Sequence, residues 1–187
     1  MLSYKFPSAG ALVLSLGVIS WCGYAAGPLA SGVPNFHQVN EHLYRGGQPT
    51  QEGFKSLAKL GVKTVIDVRE TSGRSAAEEK LVSSLKMKYV AVPMFNCPNP
   101  EQAARVLAIM NDESAGPVFI HCRRGADRTG TLVACYRISH DKWENEKALQ
   151  EARSFGMRWW EWTMFKFVRA FEPAAAATAV ATAETTK

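Results

Sequence analysis

Nowhere in this sequence do lysine and arginine run densely enough to suggest a nucleic-acid partner, although its 187 residues carry a net charge of +5. That mild basic bias suits an anionic ligand instead. No Cys/His spacing resembles a zinc site, because His37, His42, His121 and His140 are scattered and each reads as structural. There are no internal repeats. An apolar stretch from about Ala9 to Trp21 falls short of the roughly 20 residues that cross a bilayer comfortably. Cysteine is scarce as well. With Cys22 set aside in the N-terminal segment, Cys97, Cys122 and Cys135 remain, an odd number that cannot all pair within one chain.

What is present is organised in three parts. A lone Lys5, the apolar stretch and the small residues after it have the layout of a secretory signal peptide over residues 1–26, cleavable after Ala25 or Ala26. The mature protein is therefore expected to be exported, periplasmic or secreted, with an uncleaved membrane anchor as the alternative. Residues 173–187 are Ala/Thr-rich and of low complexity, which reads as a disordered tail. Between them, residues 33–171 are enough for one domain with a sizeable core.

Within that domain, strand-like and helix-like patterns alternate. "FHQVNEHLYRGGQPT" reads as two short extended pieces ending in a Gly-Gly turn, and "QEGFKSLAKLG" as a helix stopped by Gly61. "VKTVIDV" and "PVFIH" are apolar runs of the kind found in buried strands, and "KYVAVP" reads as a strand between them. Ser75 and Glu78 in "SAAE" have the spacing of a capping box, and Asn99 with Pro100 marks another helix start. Two helices follow the last strand loop and its helix "GTLVACYRI". In "MRWWEWTMFKFVRAF", helical spacing assigns Trp160, Met164, Phe167 and Phe171 to the core, leaving Trp159, Trp162 and Phe165 to rim a cleft or touch a membrane surface. Alternating strands and helices predict an α/β fold, a mostly parallel sheet with helices on both faces and ligands at the carboxyl ends of its strands.

One such end carries unusual chemistry. In "PVFIHCRRGADRTG", Cys122 follows a strand directly, and three arginines, a glycine and an aspartate come within the next six residues. A loop leading into a helix N-terminus points backbone N–H groups at one centre, which favours a thiolate and equally a tetrahedral dianion. Arg128 offers a bidentate grip on phosphate oxygens, and the Thr129 hydroxyl is placed to donate to the sulfur. His121 is read as orienting the loop. Cys135, in the middle of an apolar helix, is read as structural.

The segment "HCRRGADRTG" has a cysteine and an arginine separated by five residues, with His before and Thr-Gly after. On these residues the chain resembles the protein tyrosine phosphatase superfamily from about Val33 to Phe171, most of all its compact bacterial dual-specificity members and the atypical ones of plants and fungi. The resemblance implies a single phosphatase-like domain and a metal-independent hydrolase with no cofactor. It makes Cys122 the nucleophile, Arg128 the phosphate ligand, and Arg123, Arg124, Gly125, Ala126 and Asp127 the phosphate cradle. The expected partner is a phosphorylated substrate, either a phosphotyrosine protein or a small polyphosphorylated molecule, the latter suggested by Arg123, Arg124 and Arg69.

The sequence departs from the family in one respect. The general acid is ordinarily an aspartate on the loop that here reads "VPMFNCPNPEQ", which has none. Asp127 is the candidate substitute, by resemblance to myotubularin-like phosphatases. The alternative is a carboxylate that merely complements a helix N-terminus. Cys97, on the same loop, is a candidate redox partner for Cys122. A phosphate-binding module without catalysis and an oxyanion-transfer enzyme of rhodanese or arsenate-reductase type are the competing readings of the whole.

Overall fold

The structure is a computed structural model that describes residues 30–173. The segments read as a signal peptide and as most of the tail lie outside the described residues. Among those described, no helix is long and apolar enough to cross a membrane.

Five strands form one sheet in the order β1-β2-β5-β3-β4. They are β1 (His37–Gln38), β2 (Leu43–Gly46), β3 (Thr64–Asp67), β4 (Lys88–Ala91) and β5 (Val118–His121). All neighbours pair in parallel except β1 with β2. β2, β3 and β5 are buried at every residue, as befits the central strands of a sheet covered on both faces.

Among the described residues are six α-helices, α1 (Gln51–Lys59), α2 (Gly73–Ser84), α3 (Pro100–Met110), α4 (Asp127–Ser139), α5 (Asn145–Ser154) and α6 (Trp162–Arg169); the first four cover the sheet, and α5 and α6 pack on α4. Alternate residues of each strand face opposite layers. Val65 and Phe119 pack with Phe54, Leu57 and Val82 of α1 and α2. Ile66 and Ile120 pack with Val106, Met110 and Leu132 of α3 and α4. The helix starts are local in origin. Thr50 caps α1 by accepting from Gly53 N–H, and Asn99 with Gln102 forms a reciprocal capping box ahead of Pro100 on α3.

Two sequence expectations need correction here. Ser75 and Glu78 do not start α2; the helix begins at Gly73, and both side chains are buried inside it. The last helix starts at Trp162 rather than at Met157, which rotates its inner face. Met164, Phe165 and Val168 face inward, while Trp160 is 51% exposed, alongside Trp159 and Trp162. Trp160 is therefore not core, and Phe165 is.

Candidate active site

The loop between β5 and α4 sits at the carboxyl edge of the sheet, and its carbonyls are tied outward. Gln48 N–H donates to the Arg123 carbonyl at 3.1 Å. Arg45 Nη2 and Asn35 Nδ2 donate to the Gly125 carbonyl at 2.9 and 3.1 Å. His121 Nδ1 lies 3.3 Å from the Cys122 carbonyl. With carbonyls engaged outside, amides turn inward, and Gly125 N–H donates to Cys122 Sγ at 3.3 Å. This reversal needs a positive φ at Gly125 (73°) and glycine again at Gly47, where a Cβ would come within 3.0 Å of the Arg124 backbone.

Arg45 was missed in the sequence, where it is one charge within an apolar extended stretch. It is 1% exposed and stacks 4.3 Å from the Phe155 ring centroid. Burial pushes it down to about 10, an effect that Glu151 and the Cys122 sulfur oppose. It therefore remains a cation at neutral pH beneath the thiol loop. Asn35 and Gln48 were missed for the same reason, since their roles depend on contacts far along the chain.

Cys122 lies at the base of a pocket of about 210 Å³. Arg123, Arg124, Asp127 and Arg128 line it from the loop, Phe95 and Asn96 from the β4–α3 loop, and Arg158 from the segment before α6. Arg128 reaches the pocket with Nη1 held by the Met94 carbonyl at 2.9 Å and by Glu70 at 2.9 Å. Gly125 and Ala126 are buried within the loop. The Thr129 hydroxyl is buried with no hydrogen-bond partner, so the expected donation to sulfur is not made in this state.

Both carboxyl oxygens of Asp127, which lines the pocket, are already engaged. Oδ1 accepts from Arg158 N–H at 3.0 Å, and Oδ2 contacts Arg124 Nη1 at 3.1 Å and Arg158 Nη2 at 3.0 Å. Every group around this carboxyl is a donor, so its contacts tie α4 to the segment before α6. Arg124 is correspondingly spent in part on Asp127.

Beneath the loop runs a buried polar chain. His121 Nε2 is 2.8 Å from Glu78 Oε1, close but out of line for a hydrogen bond. Glu78 Oε2 accepts from Gln48 Nε2 and Arg69 Nη2, each at 2.7 Å. Arg69 also grips both oxygens of Asp67, which accepts from the Tyr89 hydroxyl at 2.7 Å. Burial raises Asp67, but Arg69, His121 and Tyr89 together outweigh it and hold the carboxyl below its usual range. Asp67, Glu78 and His121 bring one ligand atom each within 4.8 Å, and both carboxylates are already ion-paired with Arg69. Arg69, read from the sequence as a contact for a second phosphate or as a brace for the loop, is held by Asp67 and Glu78 while it lines the larger cleft. Removing Glu78 leaves buried His121 without its nearest charge and half-buried Arg69 with Asp67 alone. Glu78→Ala should cost about 3 kcal/mol or more, seen as a lowered Tm in scanning calorimetry.

The Cys97–Cys122 pair is not formed, and all three described cysteines are free. The β4–α3 loop does face the thiol, but through Phe95 and Asn96. Cys97 turns toward α6, with Sγ 3.6 Å from the Thr163 carbonyl, and burial with the Glu161 charge pushes its thiol up. Cys135 is fully buried in α4, as expected.

A thiol at a strand end, cradled by inward amides ahead of a helix and facing an arginine six residues on, defines the protein tyrosine phosphatase superfamily in its atypical dual-specificity form. Residues 28–168 match the family described as DSP-PTPase phosphatase fused to NAD+ kinase, and the chain belongs to that family. It is 32% identical over 127 residues to the putative tyrosine-protein phosphatase OCA1 of Mycosarcoma maydis, covering 65% of this chain and 80% of that one. It is 29% identical to the dual specificity protein phosphatase TpbA of Pseudomonas aeruginosa, over 65% of this chain but only 55% of the relative. The crystal structure of TpbA superposes with a TM-score of 0.67 at 25% identity, covering 79% of this chain and 91% of the other. The inositol diphosphatase DSP5 of Arabidopsis thaliana is 28% identical over 148 residues, 74% of this chain and 70% of that one.

Proposed function

We propose that the chain hydrolyses phosphomonoesters of the phosphotyrosine type through a phosphocysteine. The observation that carries this is the Cys122 sulfur at the base of a pocket that Arg128 shares, with an amide N–H already donating to it. The thiolate attacks phosphorus, an S–P bond forms, and the ester P–O bond breaks with its electron pair leaving on oxygen. Water then attacks the phosphocysteine, the S–P bond breaks and phosphate departs, restoring the thiolate. Inward amides and Arg128 stabilise the charge on the transferring oxygens without reorganising. TpbA has been solved in complex with phosphotyrosine, which supports an aryl phosphate as substrate. Similarity to DSP5 supports inositol phosphates as the second reading.

The occupied Asp127 carboxyl bears on the choice of substrate. Without an aspartate on the β4–α3 loop, leaving groups that depart unprotonated are favoured, as in aryl phosphates and phosphoanhydrides, over alkyl phosphates. Turnover should therefore fall steeply from p-nitrophenyl phosphate to phenyl phosphate to phosphoserine peptide. Asp127→Asn should lower all three by a similar factor, because it loosens the loop. A loss confined to the poorer leaving groups would reinstate Asp127 as the acid. The proposal as a whole is tested by measuring phosphate release from a phosphotyrosine peptide in chelator, with the wild type and Cys122→Ser side by side.

A further inference from the structure

The pocket over Cys122 shares two walls, Arg123 and Arg128, with a larger cleft of about 760 Å³. That cleft runs from the start of α2 across Gln48, over a floor that includes Phe54 and Leu81. Four arginines and two glutamates line it. Most of these charges are already matched: Arg69 with Glu78, and Arg128 with Glu70. Arg74 and Arg123 are not. Both are exposed, and among the described residues neither makes an ion pair or a side-chain hydrogen bond. A solitary exposed arginine is ordinarily just solvated. Two without counter-charges, on one cleft that adjoins a phosphoryl pocket, make a positive field with no internal partner.

The sizes of the two spaces complement that charge. The smaller one, about 210 Å³, takes a phosphoryl group and the group it departs from, so the remainder of a larger substrate must lie elsewhere. Arg123 borders both spaces, which makes the arginine-lined cleft the adjoining place for it. We infer that this cleft is a second anion subsite, in which Arg74 binds a further phosphoryl or carboxylate group of the same substrate molecule and Arg123 spans the two anions. Phe54 and Leu81 supply apolar surface for the ring or chain joining them. The inference rests on the phosphatase reading of Cys122 for what occupies the first pocket. A second phosphoryl group on a small molecule and an acidic side chain beside a phosphorylated residue offer Arg74 the same chemistry.

Arg74 stands exposed in the first turn of α2, so replacing it leaves the core intact. In a Cys122→Ser background, Arg74→Gln should weaken binding of inositol hexakisphosphate roughly tenfold in calorimetry, leaving binding of inorganic phosphate unchanged. In the active enzyme it should raise KM for a phosphotyrosine peptide flanked by glutamates, relative to one flanked by alanines, with kcat and p-nitrophenyl phosphate turnover unaltered. A change with inositol hexakisphosphate alone assigns the second anion to a phosphoryl group. A change with the acidic peptide alone assigns it to a carboxylate. No change with either, or an equal loss with inorganic phosphate, overturns the subsite. If the parent enzyme fails to turn over p-nitrophenyl phosphate, the phosphatase reading falls, while the binding comparison still decides the subsite.

Discussion

Cys122→Ser should abolish phosphate release, with a fall on the order of 10⁵-fold or more, the scale on which loss of a covalent nucleophile is felt. Serine nearly preserves the volume of the side chain at a site only 2% exposed, so the fold should persist. It does not preserve the chemistry, because a hydroxyl is a far weaker nucleophile toward phosphorus than a thiol sulfur. The amides held inward by Gln48, Arg45 and Asn35 remain in place in the variant. Inorganic phosphate should thus still bind, within a few-fold of the parent by calorimetry. Residual turnover within tenfold of wild type would mean that another group performs the attack. Lost phosphate binding with an unchanged Tm would mean that the sulfur itself, rather than the backbone, holds the anion.

Gly125→Ala should be nearly as damaging, for a reason of shape. The residue sits at φ 73°, where an L side chain costs about 1–2 kcal/mol. A Cβ there would also run into the backbone of Gly46 and Gly47. Those neighbours cannot retreat, since Gly46 closes the β2–β5 pairing opposite His121. The loop must give way instead, and the amide that donates to Cys122 goes with it. Turnover should fall by about 10²–10³-fold, as when one preorganised donor is removed, and Tm should drop. Gly73 offers the control, because nothing lies within 4 Å of a Cβ built there. Gly73→Ala should leave activity intact, and a Gly125→Ala enzyme that matched it would refute this account of the loop.

What was legible in the sequence is what is local. The thiol loop is contiguous, so its residues and the helix that follows could be read together. The buried strands showed as apolar runs, and the α3 start showed as Asn-Pro. Residues defined by distant partners were not legible. Glu78 fits a capping pattern with Ser75, and nothing near it in the chain shows that its carboxylate reaches His121 and Arg69 instead. Asp127 looked available because its main partner, Arg158, lies 31 residues on. The Trp-rich stretch before and within α6 satisfied a helical period in more than one phase, and only where the helix begins decides which aromatic is buried. Cys97 was placed on the right loop, but the direction of one side chain within an irregular segment has no periodic signal.

The pairing of β2 with β5 has a consequence in time as well as in space. Leu43 lies beside Val118, and Gly46 beside His121, so the thiol loop receives its outer supports from a segment far earlier in the chain. Closing so long an intervening stretch is entropically slow, and contacts of this kind form late when a chain folds. The loop cannot hold its amides inward before that closure. On refolding from denaturant, helical signal should thus return ahead of the capacity to bind phosphate, and the interval between them measures how long the chain exists as a nearly complete α/β domain with an unfinished anion site.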